Sequence, residues 1–375
     1  MLRTLVCTGV FCGLALGGPH RHKQAMTIAQ MSQYLDGAAQ HDSDDALARR
    51  VEAIHLSERL TPTTLSQLEE SLHAGPQARE ALMLLADISG FLAPPPAELP
   101  NKPAPSAAEQ QAMVTGVSNF VASVIQRLPD FFAARTTESY DDVPTVVTHS
   151  GWAPVEPMHA DGTFRQTITF RGGKEVTGER ARVAEGAKAA GPPGLTSSGE
   201  FGPLLATILR DTKRGTIAWD HWESTPAVVA AVFRYAVPER ASHYSVDFCC
   251  VKSSDDLTAY GASGMPVLFH GKPAYHGEIF VDPATNTVLR VTLEAEMKSS
   301  DPITQAGVAV DYGAVAIEGD KSYICPVHSV ATSIAESYVG GDHGARLLTR
   351  VNDVTFDSYH RFGATIRMVE PSAQP

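Results

Sequence analysis

The stretch YHGEIFVDPATNTVLRVTLEAEM, residues 275–297, decides the fold class of this chain. Two runs in which apolar and polar residues alternate flank the segment Asp282-Pro283-Ala284-Thr285-Asn286. Alternation with a period of two is typical of half-buried strands, and Asp, Pro and Asn supply turn chemistry. The stretch therefore predicts a β-hairpin, with two neighbouring strands that run antiparallel.

The same period recurs on both sides of the hairpin. Phe164, Gln166, Ile168 and Phe170 alternate with threonine and arginine and precede a Gly-Gly turn. Similar patterns occupy residues 228–238, 242–251, 306–334 and 350–369. No helix-length crossover separates the segments after Gly215, so they favour a meandering antiparallel sheet of about ten strands. Within the strand-rich part of the chain, from residue 164 to residue 369, only residues 201–212 have a helical pattern.

The first part of the chain has a helical period instead. Residues 26–93 predict four short amphipathic helices, the first with Thr27 as its cap and the third with Pro62 at its first position. Six prolines between residues 94 and 106 indicate a stiff linker. A longer helix, Ala107 to Arg127, follows it. The fold class is therefore α+β: a helical subdomain (26–93), a linker (94–106) and a domain (107–375) with a long helix packed on a large curved antiparallel sheet, resembling a half-barrel.

The N-terminus has the order of an export signal. Arg3 precedes an uncharged stretch from Thr4 to Gly18, and the small residues Ala15 and Gly17 suit cleavage. We therefore expect residues 1–18 to be a signal peptide, the mature chain to lack a transmembrane span, and the protein to reside in the periplasm or cell envelope. An uncleaved anchor, or a translation start at Met26, is the alternative.

Composition excludes several classes of protein. The formal net charge is −12, the wrong sign for binding the phosphate backbone, so nucleic acid is not an expected partner. With 43% hydrophobic and 19% charged residues, the chain is neither disordered nor a bundle of membrane spans.

Three cysteines follow the signal: Cys249, Cys250 and Cys325. Adjacent residues of a strand face opposite ways, so only one of the first two can reach Cys325 easily. In an oxidising compartment we predict one disulfide, assigned to Cys250 and Cys325, with three buried free thiols as the alternative. No C-x-x-C spacing occurs.

Several segments carry a resemblance: residues 128–142, 198–212, 231–250, 275–297 and 321–333. They look like a group of uncharacterised exported acidobacterial proteins over nearly the whole chain. That resemblance implies export and this architecture, and no reaction. The long helix followed by an open antiparallel sheet also resembles, more distantly, the LolA/RseB-like half-barrels of the bacterial envelope, which carry lipoproteins or sense stress.

A curved sheet over a helix makes a concave apolar surface, which suggests a lipid or another apolar ligand. The predicted lining is aromatic, because aromatic rings give an acyl chain a large contact area. It comprises Phe164, Phe170, Trp219, Trp222, Phe233, Tyr235 and Phe280. The alternative is that these residues form the core under the helix.

Catalytic signatures are absent from the sequence. There is no HExxH, GxSxG, P-loop or dinucleotide motif, and we predict no cofactor, no metal and no catalytic residue. Asp220, His221 and Glu223 form the densest titratable group, but strand neighbours face opposite ways, so Asp220 and His221 are expected to cooperate poorly. His270, His276 and His328 are an alternative metal set.

Three functions therefore stand as hypotheses. The first is a non-catalytic envelope protein that holds an apolar ligand. The second is an interaction module whose N-terminal helices bind another envelope protein. The third is a hydrolase with its site between Trp219 and Glu223.

Overall fold

The computed structural model describes residues 25–142, 157–177, 192–251, 267–318, 321–337 and 346–362. The predicted signal peptide lies outside the described residues. In the described parts of the chain, no helix combines the length and apolar character needed to cross a bilayer.

Four helices form the N-terminal subdomain, and their ends follow from local sequence. They are α1 (Ile28–Ala39), α2 (Asp44–Glu52), α3 (Pro62–Ser71) and α4 (Pro76–Ser89). Thr27, Ser43 and Thr61 cap the first three, each side chain accepting a bond from a backbone N–H in the first turn. Asp44 accepts from the backbone N–H groups of Gln77 and Ala78, so it also caps α4. The buried faces of the four helices pack together in one apolar cluster.

Two further helices lie beyond the linker. They are α5 (Ala107–Arg127), which has the predicted span, and α6 (Pro203–Asp211). Linker residues bind to the neighbouring elements: the Pro103 carbonyl accepts a 2.8 Å bond from Trp222 Nε1, and Glu98 accepts from Thr61 and Thr64. The linker therefore lies against both the helical subdomain and the sheet.

Ten strands form one open antiparallel sheet and three form a small second sheet. In the large sheet the order is β3-β2-β1-β13-β12-β11-β10-β9-β6-β5, so β3 and β5 are its edges and it does not close into a barrel. The second sheet has the order β4-β7-β8. The strands are β1 (Phe131–Asp141), β2 (His159–Arg171), β3 (Lys174–Thr177), β4 (Gly194–Leu195), β5 (Thr216–Ser224), β6 (Val229–Val237), β7 (Val246–Val251), β8 (Val267–Gly271), β9 (Ala274–Val281), β10 (Val288–Glu296), β11 (Ile303–Glu318), β12 (Lys321–Ser337) and β13 (Arg346–Arg361). The predicted hairpin is β9–β10.

The large sheet is covered on both faces, because helices pack on each side of it. On one face α5 and α6 cover the main apolar core, which includes Phe233 of β6. On the other face Leu84 of α4 packs against Val330 and Val351 of β12 and β13. Val232, the strand neighbour of Phe233, packs with Phe280 on this second face. The alternation that predicts the strands thus supplies two separate buried surfaces.

The centre of the sheet tolerates no side chain at Gly277 of β9. A Cβ there would lie 2.0 Å from the Thr292 carbonyl oxygen and 2.9 Å from Tyr235 Oη. Gly277→Ala is therefore expected to lower the free energy of unfolding by at least about 2 kcal/mol, because the strands must separate to admit the methyl group. Equilibrium denaturation in urea measures this change.

Gly37→Ala in α1 is the matched control. Nothing lies within 4 Å of a Cβ at Gly37, so the substitution should stabilise the protein by roughly 0.5–1 kcal/mol through helix propensity. Equal effects of the two substitutions would contradict the close approach at Gly277.

Candidate functional site

A cavity of about 430 Å³ lies between the helical subdomain and the sheet, and we call it the helix–sheet cleft. Its walls are the segments at α3 and α4 on one side and strands β5 and β9–β12 on the other. The apolar lining includes Leu60, Pro62, Leu65, Met83, Ala86, Pro226, Ala227, Phe280, Leu289 and Val330. The ionisable lining residues are Arg59, Asp87, Glu223, Arg290, Asp311 and His328. An apolar volume with a few polar groups is the usual composition of a small-molecule site.

Arg59 connects the helical subdomain to the sheet at one end of the cleft. Its side chain is 4% exposed and pairs with Glu223 of β5 and, at 3.4 Å, with Glu278 of β9. The guanidinium carbon lies 5.3 Å from the centre of the Phe280 ring. Since a guanidinium donates in a planar fork, it can satisfy both carboxylates and cover the ring at once.

His221 extends this cluster along β5. Its Nδ1 lies 2.8 Å from Asp220 Oδ2 and its Nε2 lies 3.0 Å from Glu223 Oε2. The expectation that Asp220 and His221 face apart is wrong, because the register of β5 against β6 shifts between Trp219 and His221. Such a bulge inserts an extra residue and re-aims the side chains next to it.

The protonation of His221 limits what this group can do. Burial disfavours its charge, but hydrogen bonds to Glu223 and Asp220 outweigh that effect and raise the pKa of His221. Each ring nitrogen faces a carboxylate oxygen, an arrangement that favours the charged form of the imidazole. Asp220, His221 and Glu223 converge at hydrogen-bond distance, as the hydrolase hypothesis requires, but both ring nitrogens are occupied by carboxylates of the protein itself.

A second charged cluster lies on β10–β13. Arg290 Nη1 donates to both oxygens of Asp311, at 2.8 and 2.9 Å. His328 lies between two carboxylates, with Nδ1 3.3 Å from Asp311 and Nε2 2.7 Å from Asp353. Burial opposes the charge of His328, yet these two hydrogen bonds raise its pKa to about 10. Burial likewise opposes the charge of Asp311, but Arg290 and His328 hold the pKa of that carboxyl below its usual value.

Asp87 projects from α4 towards this second cluster. Its Oδ2 is completely buried and has no hydrogen-bond partner among the described residues. Burial and the negative charge of Asp353 raise the pKa of Asp87 to about 8, against the opposing effect of His328 and Arg290. At neutral pH the carboxyl is therefore protonated. Next to it, Gly90 lets Arg290 approach the end of α4, since a Cβ at Gly90 would lie 3.3 Å from Arg290 Nη2.

Metal ligation has one candidate among the described residues. Asp220, His221 and Glu278 each offer a ligand atom, all within 4.8 Å of one another. Arg234 already pairs with Asp220 and Glu278, and Arg59 with Glu278, so cations of the protein neutralise these carboxylates. The three histidines predicted as an alternative metal set pair with different carboxylates. His270 contacts Asp247, His276 contacts Glu294 and Glu296, and His328 contacts Asp311 and Asp353.

The predicted aromatic lining residues are distributed over several parts of the fold. Trp222, Phe233 and Tyr235 are buried in the main core, with Trp219 packed against it. Phe170 is buried in another cluster, with Phe131. Phe164 is half-buried in β2. Only Phe280 of the seven lines the helix–sheet cleft, which lies on the face of the sheet opposite α5 and α6.

The face under α5 and α6 leaves little room for a ligand. The two cavities described there measure about 20 and 10 Å³, far less than the 430 Å³ of the helix–sheet cleft and room for about one water molecule each. Side chains of both helices, among them Val117, Leu205 and Ile208, pack against this face of the sheet.

The predicted Cys250–Cys325 disulfide is not present among the described side chains, which include that of Cys325 but not that of Cys250. Cys325 is a free, buried thiol on β12. Cys250 belongs to β7, a strand of the small second sheet. Cys325 packs with Ile317 and Phe356 of the large sheet, and burial raises its pKa to about 12. A thiol so strongly protonated is unreactive and packs as a small apolar group.

Sequence reasoning missed most of the ionisable residues of the cleft. Arg59, Asp87, Arg290, Asp311 and Asp353 were not singled out, and His328 only as a metal ligand. A signal was present, because Asp87 interrupts the apolar helix ALMLLADIS and Asp311 the apolar strand AGVAVDYGAVAI. An ionisable residue inside an apolar segment is rarely buried without a partner or a function.

Comparisons with protein-family models, with curated proteins and with solved structures found no match to this chain.

Proposed function

We propose that this chain is an exported, non-catalytic protein that holds a small ligand with a largely apolar body in the helix–sheet cleft. The observation that carries the proposal is the cavity of about 430 Å³ between α3, α4 and the sheet, within the size range of small-molecule sites. Export is supported by the signal-like order of residues 3–18.

The composition of the cleft supports binding rather than catalysis. Ten apolar residues surround the volume, and the one histidine in its lining, His328, is held as a cation between two carboxylates. A general base must accept a proton at the working pH. The His328 imidazole, whose pKa is raised to about 10, already carries that proton.

The interaction-module hypothesis has less support. A docking face on the N-terminal helices would need a contiguous exposed apolar patch. Among the described residues of that subdomain, the large apolar side chains that are exposed are Tyr34 and Ile88, each 40% exposed. Arg50 covers Tyr34, with its guanidinium carbon 5.8 Å from the ring centre.

Filling the cleft tests the proposal. Ala227 lines the cavity and is exposed at the turn between β5 and β6, so Ala227→Trp should occupy the cleft without disturbing the core. We expect native mass spectrometry of wild-type protein recovered from the producing cell's periplasm to show a bound mass that organic extraction removes. Ala227→Trp should carry at least tenfold less of it.

Ala53→Trp is the matched control, because Ala53 is exposed at the end of α2 and away from the cleft. It should retain the bound mass. A bare mass for folded wild-type protein, or equal occupancy of the two tryptophan variants, would overturn the proposal. The intact mass also shows whether the signal is removed.

A further inference from the structure

The second charged cluster of the cleft is one positive charge short. Three carboxyl groups, those of Asp87, Asp311 and Asp353, face two cations, Arg290 and His328. Asp311 and Asp353 accept from Nη1 of Arg290 and pair with both ring nitrogens of His328, while Oδ2 of Asp87 has no partner among the described residues. A buried carboxylate without a cation is costly, so the group keeps a proton instead.

This situation differs from that at the other end of the cleft. There Asp220, Glu223 and Glu278 each pair with at least one basic side chain, from Arg59, Arg234 or His221. The two clusters border the same cavity and are built from the same residue types. The cluster at Asp87 differs in having a buried carboxyl oxygen without a partner among the described residues, so it has room for one further cation.

A groove that borders the cleft is also lined mainly by acidic residues. An open groove of about 680 Å³ runs between the helical subdomain and strands β1 and β2, and Leu65 and Met83 border both the groove and the cleft. Its ionisable lining consists of four acids and one base: Glu69, Glu80, Glu138, Asp161 and Arg79. A groove with an excess of one sign of charge attracts ligands of the opposite sign.

We propose that the ligand of the cleft carries a protonated amine, which pairs with the Asp87 carboxylate while the apolar body of the ligand lies among the apolar lining residues. This inference rests on the function proposed above. As the ammonium group arrives, the O–H bond of the Asp87 carboxyl breaks and its proton passes to water or buffer, while the bonds of the ligand stay unchanged. An ammonium group suits the site because its charge offsets that of the Asp87 carboxylate, which lines the cleft, and because charge-assisted hydrogen bonds to a carboxylate are strong.

A metal ion fits this position less well. The one group of three close ligand atoms in the described part of the chain is Asp220, His221 and Glu278, at the other cluster. Asp87, Asp311 and Asp353 do not form such a group, so they do not enclose a common ion. An amine needs only one carboxylate and an apolar wall.

The test compares three probes with the same apolar body: n-octylamine, 1-octanol and octanoate. Isothermal titration calorimetry at pH 6 and pH 9 gives Kd for wild-type protein, Asp87→Asn and Ala227→Trp. For wild-type protein at pH 9 we expect octylamine to bind at least tenfold more tightly than octanol, and octanoate to bind most weakly.

The pH dependence follows from the proton on Asp87. Its pKa of about 8 means that the carboxyl must lose its proton before it pairs with the amine below that pH. The alkylamine itself stays charged, since its pKa resembles that of lysine. The Kd for octylamine should therefore rise by about 90-fold from pH 9 to pH 6, and that for octanol should change little.

Asp87→Asn keeps the size and polarity of the side chain but cannot ionise. It should bind octylamine no more tightly than octanol, with a Kd that is independent of pH. If the variant does not fold, the wild-type pH profile and the order of the three probes still decide the question.

The outcomes separate this inference from the proposed function. In one outcome the wild-type protein binds octylamine and octanol equally, or prefers octanoate, while Ala227→Trp binds none of the three. This result would overturn the proposal that the ligand carries an amine, and the cleft would remain a ligand site. Failure of every probe to bind, or binding that Ala227→Trp does not weaken, would overturn both proposals.

Discussion

Arg59→Met is expected to lower the free energy of unfolding by about 3–5 kcal/mol, because it leaves Glu223 and Glu278 without their shared partner in a buried site. Methionine fills much of the space of the arginine stem and keeps the contact with Phe280, so the loss comes mainly from the charge. Chemical denaturation at pH 7, followed by circular dichroism, measures the change. Arg59 links residues far apart in the chain, so we also expect the helical subdomain to become more accessible to proteases.

The control removes the same charge from the surface. Arg49 pairs with Asp45 one turn earlier in α2, where both side chains are more than half exposed. Arg49→Met should cost only about 0.3–0.5 kcal/mol, since solvent screens such pairs. If both substitutions had the same small effect, the buried ion pairs of Arg59 would not stabilise the packing of the helical subdomain on the sheet.

Phe170→Ala is expected to lower the free energy of unfolding by about 3–5 kcal/mol and to leave ligand binding unchanged. Phe170 is fully buried and stacks on Phe131 with ring centres 5.2 Å apart, and Phe201 lies 6.3 Å away. These rings belong to an apolar cluster distinct from the cleft, so their loss creates a cavity without touching the ligand. Denaturation and octylamine titration of the same variant measure both quantities.

Phe164→Ala is the internal comparison for this second substitution. Phe164 lies on the same strand, β2, but is only half-buried, so the loss should be about 1 kcal/mol. A Phe170→Ala variant that keeps its stability and loses the ligand would instead make Phe170 a lining residue, as the sequence alone predicted.

The helices and strands were predictable because their signals are local. The alternation at Phe164–Phe170, the proline at position 62 and the turn at residues 282–286 act within a few residues, and the corresponding strand, helix and hairpin are present. The bulge at Asp220 was not predictable in this way. It depends on how β5 pairs with β6, and the period of a single strand carries no information on a register shift in the pair.

The candidate site was harder to predict than the fold. An aromatic residue in a strand is apolar whichever face it occupies, so the sequence could not tell Phe280, which lines the cleft, from Phe233, which lies in the core. Likewise, the sequence offers Cys250 and Cys325 as partners, but the two belong to different sheets.

By itself, the sequence determined the order of helices and strands, the antiparallel connections and the acidic net charge, since propensity, turn chemistry and composition are properties of neighbouring residues. Only the tertiary structure decided where charge is buried. Asp87 and Asp353 are separated by more than 260 positions in the chain, and Arg59 and Glu223 by 164. The pKa of Asp87 and the pairing of Arg59 arise only when α4 and the segment before α3 pack on the sheet, because burial and Coulomb interactions depend on distance in space.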